Sequence, residues 1–416
     1  MAVDQGAAKG VAKGATPRLL MQVAALALLL GLQPVTTDLY LPALPALRAE
    51  LAAPMSAVQL TLSALMLSFG LGQLLIGPLS DRFGRRPILL AGLALYVLAA
   101  LAVALAPDIW LLVACRTLQG LALAAAVVGG RAMLRDWFEP HEGARVMARA
   151  LSGLGLIATL SPALGGLLAL YLGWRAALLA TGLFAAGALA LIAWQIPESL
   201  AARHRQALNP RQWLANWALV LAHPGFRAYA LLTTLAYATL YAFLAGSSFV
   251  FIEVLGLSRM HYGALVSLGA AIYVAGTWLC RRWLAHASLP QTVRRGAVFT
   301  ALGALGMGAA AWAWPPSVLA LMLPHGFIML GHGVLQPCGQ AGAVGPFPRQ
   351  AGAAAALSGF AIALGAFAVS AWLARSLDST VRPLALTMMS LGLATALCAW
   401  TLVQAEGRRQ RAAALA

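Results

Sequence analysis

The chain is a succession of apolar stretches, each about 20 residues long, parted by short polar turns. At 1.5 Å per helical residue, about 20 residues cross the roughly 30 Å hydrocarbon core of a bilayer. Twelve such stretches occur, at about 18–44, 56–76, 87–106, 109–133, 146–171, 174–195, 226–254, 262–283, 295–314, 317–341, 351–374 and 382–404. Only Trp314-Pro315-Pro316 parts the ninth from the tenth. Barrel strands are about 10 alternating residues, so these lengths predict helices. The chain is 61% hydrophobic and 10% charged, with a mean hydropathy of +0.82, outside the range of soluble globular proteins. The expectation is an all-α integral membrane protein with twelve transmembrane helices.

A net charge of +16 raises the question of a nucleic-acid partner, and its placement argues against one. With an even number of spans and both termini inside, 22 of the 28 Lys/Arg fall on the cytoplasmic side. Arg48, Arg175, Arg259, Arg375 and Arg382 fall outside, and Arg116 lies within a span. That is the positive-inside bias of membrane proteins. Lys9, Lys13 and Arg18 precede an apolar run too long for a cleaved signal, which reads as a retained first helix. Cys115, Cys280, Cys338 and Cys398 all sit in or at the ends of spans with no metal-ligand spacing, so they read as small buried hydrophobes. Neither a metal nor a cofactor is expected.

The only long polar stretch runs from Pro197 to Pro224 and includes Glu198, Arg203, His204, Arg205 and Arg211. It divides the spans six and six, giving an N-terminal bundle (1–196), a cytoplasmic linker (197–224) and a C-terminal bundle (225–416). Trp213 and Trp217, one helical turn apart within it, suggest a short helix lying at the membrane surface.

Between the second and third spans lies Gly77-Pro-Leu-Ser-Asp-Arg-Phe-Gly-Arg-Arg86, with Asp81, Arg82, Gly84, Arg85 and Arg86 packed into one turn. Charges at the bilayer centre cost at least about 2.5–3.5 kcal/mol, so this turn belongs at the water boundary. The pattern resembles the loop between helices 2 and 3 of major facilitator transporters, which implies two six-helix pseudo-repeat bundles around a central cavity and a gating role for the loop. Gly276, Arg281, Arg282, Arg294 and Arg295 echo it weakly in the second half. If the halves close inside, Asp81 would face the positive end of the eleventh span, which begins near Gln350.

Charges inside the spans are scarce and therefore informative. Asp38 is seven residues before Pro45, and Arg116 is eight after Asp108. Both therefore sit about 10–12 Å below the outer boundary, at matching depth, where they could pair across the cavity. Burial and a neighbouring guanidinium act oppositely on a carboxyl's proton affinity, so Asp38 is the candidate proton carrier and Arg116 its modulator. A permanent pair holding two helices together is the structural alternative. Tyr40 and Gln119 lie near these two charges and are candidates for the cavity wall. His332, Gln336 and Gln340 recur at i, i+4 and i+8, a polar stripe on an apolar helix, with His325 close to the same face. Trp278, Phe243, Tyr273 and Met329 could add adaptable surface. Ser161, Pro162, Gly165 and Gly166 put a kink and a close-packing surface into the fifth span. That segment is similar to the G-P-x-x-G-G antiporter motif, with serine for the first glycine.

Several segments narrow the resemblance: Asp-Leu-Tyr-Leu-Pro-Ala-Leu-Pro (38–45), residues 72–87, Arg-Ala-Met-Leu-Arg-Asp (131–136), residues 248–256 and residues 347–359. In this order along nearly the whole chain they look like the bicyclomycin/chloramphenicol-resistance (Bcr/CflA) branch of drug:proton antiporters. The resemblance implies a bacterial inner-membrane exporter of small, mostly apolar drugs, exchanged for protons by alternating access, and expected to be a monomer. Two departures stand out. Ser247-Ser248-Phe249 replaces a Ser-Pro step, and Gln336-Pro-Cys-Gly-Gln340 replaces a Pro-Asn step. A dedicated exporter or importer of a single metabolite is the alternative, since one fold hosts both. An intramembrane enzyme is disfavoured, because neither H-E-x-x-H nor G-x-S-x-G occurs.

Overall fold

The computed structural model describes residues 17–201, 207–312 and 316–415. The expectations at Lys9, Lys13, Arg203, His204, Arg205, Trp314 and Pro315 lie outside the described residues. The described residues form helices, turns and short connecting segments, with no strand among them. In chain order the helices are α1 (Pro17–Asp38), α2 (Leu44–Glu50), α3 (Met55–Phe83), α4 (Arg85–Ala104), α5 (Ile109–Trp137), α6 (Pro140–Tyr171), α7 (Trp174–Gln195), α8 (Pro210–Ala222), α9 (Pro224–Ser248), α10 (Arg259–Leu284), α11 (Leu289–Ala310), α12 (Val318–Val344), α13 (Ala351–Ser376), α14 (Arg382–Trp400) and α15 (Leu402–Leu415).

Among the described residues, eleven helical stretches are long and apolar enough to cross a membrane. The ninth expected span, α11, falls outside that set because Arg294, Arg295 and several glycines dilute its apolar content. It is nonetheless long, and it packs along α12 and α14. The first expected span is not one straight helix: α1 stops at Asp38, and a 3-10 turn at Leu41–Ala43 leads into α2. The seventh span ends in a π-helical turn, Phe249–Val254, at the place where the expected proline is missing. The twelfth bends at Thr401 and continues as α15. Trp213 and Trp217 do lie on a short helix, α8, with their rings stacked 6.3 Å apart.

Helices α1 and α3–α7 form one half and α9–α14 the other, joined lengthwise where α3 packs on α13 and α6 packs on α10. Connectivity places α8, the start of α1 and the end of α15 on one side, hereafter the terminus side. The turns after α2, α4, α6, α10's predecessor and α13 lie on the far side. On that far side the halves are bolted together. Arg48 and Glu253 form an ion pair at 2.9 Å. The Gln59 amide donates to the Ala245 carbonyl at 2.6 Å, and Ser370 Oγ donates to Gln59 Oε1 at 3.3 Å. The Arg259 guanidinium donates to the Ala169 carbonyl at 2.9 Å.

Candidate functional site

Between the halves lies a cavity of about 370 Å³, within the range of small-molecule sites. It reaches from Asp38 and His325 toward Arg131, Gln340 and Val344 on the terminus side. All four α12 residues of the predicted stripe, His325, His332, Gln336 and Gln340, border it, as do Phe243, Tyr273 and Met329. Trp278 instead is 54% exposed on the outer surface. Among the described residues, Asp38 is the only carboxylate in the wall. It accepts a hydrogen bond from Thr37 Oγ1 at 2.7 Å and has no ion-pair partner among the described residues.

Asp38 and Arg116 share a depth but not a face, so the anticipated pair is not formed. Arg116 is fully buried behind α1, where it donates to the Thr36 carbonyl at 3.0 Å and to Gln119 Oε1 at 3.1 Å. Its guanidinium lies 4.7 Å from the centroid of the Tyr40 ring, a cation–π contact. At 3.6 residues per turn, two residues rotate the direction by about 200°. Thr36 therefore points away from the cavity that Asp38 faces, and Tyr40, in the turn after α1, lies against the same Arg116 guanidinium. The same geometry corrects the expectation for Tyr40 and Gln119. Neither borders the cavity; Tyr40 hydrogen-bonds Thr61 at 2.9 Å, and Gln119 lies with Arg116 in the interior.

Sequence reasoning missed six polar wall residues, Thr37, Tyr237 and Ser358 among them. Gln33 reaches Tyr237 of the opposite half at 3.3 Å, and Gln73 lies against Gly359 where α3 meets α13. Both are uncharged polar residues within apolar spans, so the scan that found Asp38 would have found them had it included amides. Arg131 was counted with the basic cluster of the following loop, yet it borders the cavity and forms no ion pair among the described residues.

The Gly77–Arg86 segment forms the end of α3, the turn and the start of α4. Asp81 pairs with Arg85 at 2.5 Å within the turn, and Arg85 Nε also pairs with Asp136 at 3.1 Å. Arg86 donates to the Ala193 carbonyl at 2.6 Å, while Gly77 meets open space. Arg82 stands over the Phe83 ring at 5.5 Å. Gly84 has φ +110°, a conformation that excludes other residues at little cost only for glycine. It has no capping side chain of its own. Glu198 of the linker supplies the cap, accepting from the Arg85 backbone N–H at 3.0 Å and also from the N–H groups of Ser199 and Leu200. A Cβ on residue 84 would collide with that carboxylate.

Pro162 lies inside α6, and Ser161 Oγ donates to the Ile157 carbonyl at 2.7 Å. Gly165 abuts the Leu39 carbonyl, and Gly166 abuts the Arg259 carbonyl of α10, so close that a Cβ on either would strike backbone. The Ala163 N–H donates to Ser267 Oγ of α10 at 3.2 Å. Gly166 and the Ala163–Ser267 bond thus make a tight contact between the halves, while Gly165 packs α6 on the segment after α1 within the first half.

The profile of the Major Facilitator Superfamily matches residues 26–370. The chain is similar to Multidrug resistance protein D of Escherichia coli (strain K12), with 30% identity over 90% of this chain and 93% of that one. It is also similar to the Chloramphenicol resistance protein of Pseudomonas aeruginosa, with 31% identity over 77% of this chain and 75% of that one. Among solved structures, the xylose transporter XylE from E. coli superposes with a TM-score of 0.74 at 16% identity, covering 92% of this chain and 98% of that one. With its helical halves, the cavity between them and these relatives, the chain belongs to the Major Facilitator Superfamily and is a multi-span membrane protein.

Proposed function

We propose that this protein is a secondary active transporter that exports small, mostly apolar drugs in exchange for protons by alternating access. The observation that carries the reading is Asp38, the sole carboxylate of the cavity wall among the described residues, without an ion-pair partner among them and bordering the space a cargo would occupy. A proton and a cargo group compete for the same carboxylate oxygens, which couples the two movements. The names of the similar resistance proteins support the substrate class. One proton moving through about 180 mV supplies roughly 4 kcal/mol, enough for a concentration ratio near 10³.

In this reading Asp38 carries the proton. Arg116 fixes the α1 backbone beside it through Thr36, and so acts as a positioning residue. The Gly77–Arg86 turn gates the terminus side, and Ser161–Gly166 closes the far side. The chain is no enzyme and works as a monomer in a bacterial inner membrane, with 1–196 and 225–416 rocking about the 197–224 linker and both termini cytoplasmic.

The test is drug-dependent proton movement in inverted vesicles, followed with a pH-sensitive dye, for the wild-type chain and Asp38→Asn. Proton release on drug addition in the wild type, lost in a variant that still binds drug, is the expected outcome. Drug movement without any proton movement in the wild type would sink the coupling.

A further inference from the structure

The α12 wall of the cavity is rich in hydrogen-bonding groups: His332 is bonded to the backbone of Ala236, yet several polar atoms of the wall have no partner among the described residues. His325 and His332 are 2% and 4% exposed, and Nδ1 of each lacks a partner. Gln336 Oε1 also lacks one, as does Oγ of Ser358, a 3%-exposed residue of α13. All four residues border the cavity. Buried polar atoms without partners are rare, because each has lost its water and gained nothing in return. Here four occur around one space.

Their surroundings are apolar and flat. The His325 ring stacks on Phe243 at a centroid distance of 3.6 Å, and His332 lies between Tyr273 at 5.5 Å and Tyr237 at 6.2 Å. His332 and Gln336 are one turn apart on the same face, which places their Cβ atoms about 6 Å apart. An amide oxygen can only accept, so its partner must donate. A neutral imidazole nitrogen either accepts or donates, according to tautomer. A hydroxyl satisfies either form, and an amide N–H satisfies the glutamine.

Resting on the export reading above, we infer that α12 is the polar recognition wall of the substrate site. The cargo it takes is an otherwise apolar molecule carrying at least two hydroxyl or amide groups about 6 Å apart. His332 and Gln336 bind those groups, while Phe243, Tyr237 and Tyr273 hold the apolar body.

Chloramphenicol, an aromatic compound with hydroxyls and an amide, serves as the probe. Equilibrium binding of the radiolabelled compound to the purified full chain in detergent is measured for the wild type and four variants. His332→Phe and Gln336→Leu keep bulk and lose hydrogen bonding; each is expected to weaken binding about tenfold. His332→Gln and Gln336→Asn keep a hydrogen-bonding group and are expected to retain affinity within about threefold of the wild type. Equal binding by all five chains overturns the inference. So does equal loss in the apolar and polar replacements, which would mark the wall as packing, and so does absence of binding to the wild type. Because binding is read without a membrane potential, its result stands apart from the vesicle assay. A wild-type chain that binds through this wall but releases no protons would refute the export reading and leave the wall standing.

Discussion

Gln59 offers the most direct handle on alternating access. It is 2% exposed on α3 and ties together three helices from both halves at the far side: its amide donates to Ala245 of α9, and it accepts from Ser370 of α13. Separating the halves on the far side would break both bonds. Gln59→Leu keeps the volume and removes both. A neutral hydrogen bond contributes about 1 kcal/mol net, and the Ser370 contact, longer at 3.3 Å, contributes less. The closed form should therefore lose about 1–2 kcal/mol relative to the open one, a shift of about fivefold to thirtyfold in the ratio. A far-side-open population of about 1% would rise to roughly 5–25%. Spin labels on Pro107 and Ser379, exposed in far-side turns of opposite halves, would report this as a new long-distance component in pulsed dipolar spectroscopy. A distance distribution identical to that of the parent, in a variant with an unchanged melting temperature, would refute the reasoning.

Two further predictions concern packing and capping. Gly276→Ala places a methyl 2.5 Å from the Leu330 carbonyl and 3.1 Å from Gly333 Cα. Forcing α10 from α12 should cost about 1–3 kcal/mol, read as a lower melting temperature with a thiol-reactive dye that detects exposure of the four buried cysteines. An unchanged melting temperature would mean that the helix pair is not tightly packed. Glu198→Ala should cost about 0.5–1 kcal/mol, the low end for a lost helix cap because the carboxylate is exposed to solvent. Combined with Asp136→Asn it should cost less than the sum of the two, since Ser199 Oγ donates to Asp136 at 2.8 Å in the same network. Strict additivity by the same melting assay would show the two sites to be independent.

The membrane class, the helix order and the polar stripe of α12 were legible because bilayer length and helical period are strong local constraints. Depth was legible too, since counting from Pro45 and Asp108 placed Asp38 and Arg116 at the same level. Rotation was not. Whether Asp38 or Tyr40 faces the cavity depends on where α1 ends and on what packs behind it, and the sequence alone carries no marker of that azimuth. Arg131 was missed for a different reason: it stands two residues before the expected end of the fourth span, beside Arg135 and Asp136, whereas α5 continues to Trp137 and keeps it on the helix. Contacts between distant segments, such as Glu198 with the Gly84 turn or Cys280 Sγ with Cys338 Sγ at 3.4 Å, have no periodic signature at all.

The Glu198 cap also fixes how much tether there is between the halves. With Glu198 and Ser199 held by the first half and α8 packed on α9 and α13 of the second, the covalent strap is the chain between Leu200 and Pro210. Ten Cα steps reach at most about 36 Å. A covalent strap keeps the two bodies at high mutual concentration during assembly. Doubling its length would change closure entropy by only about 0.6 kcal/mol. Insertions between Leu200 and Pro210 should therefore leave turnover untouched, whereas moving the carboxylate that starts the strap would not.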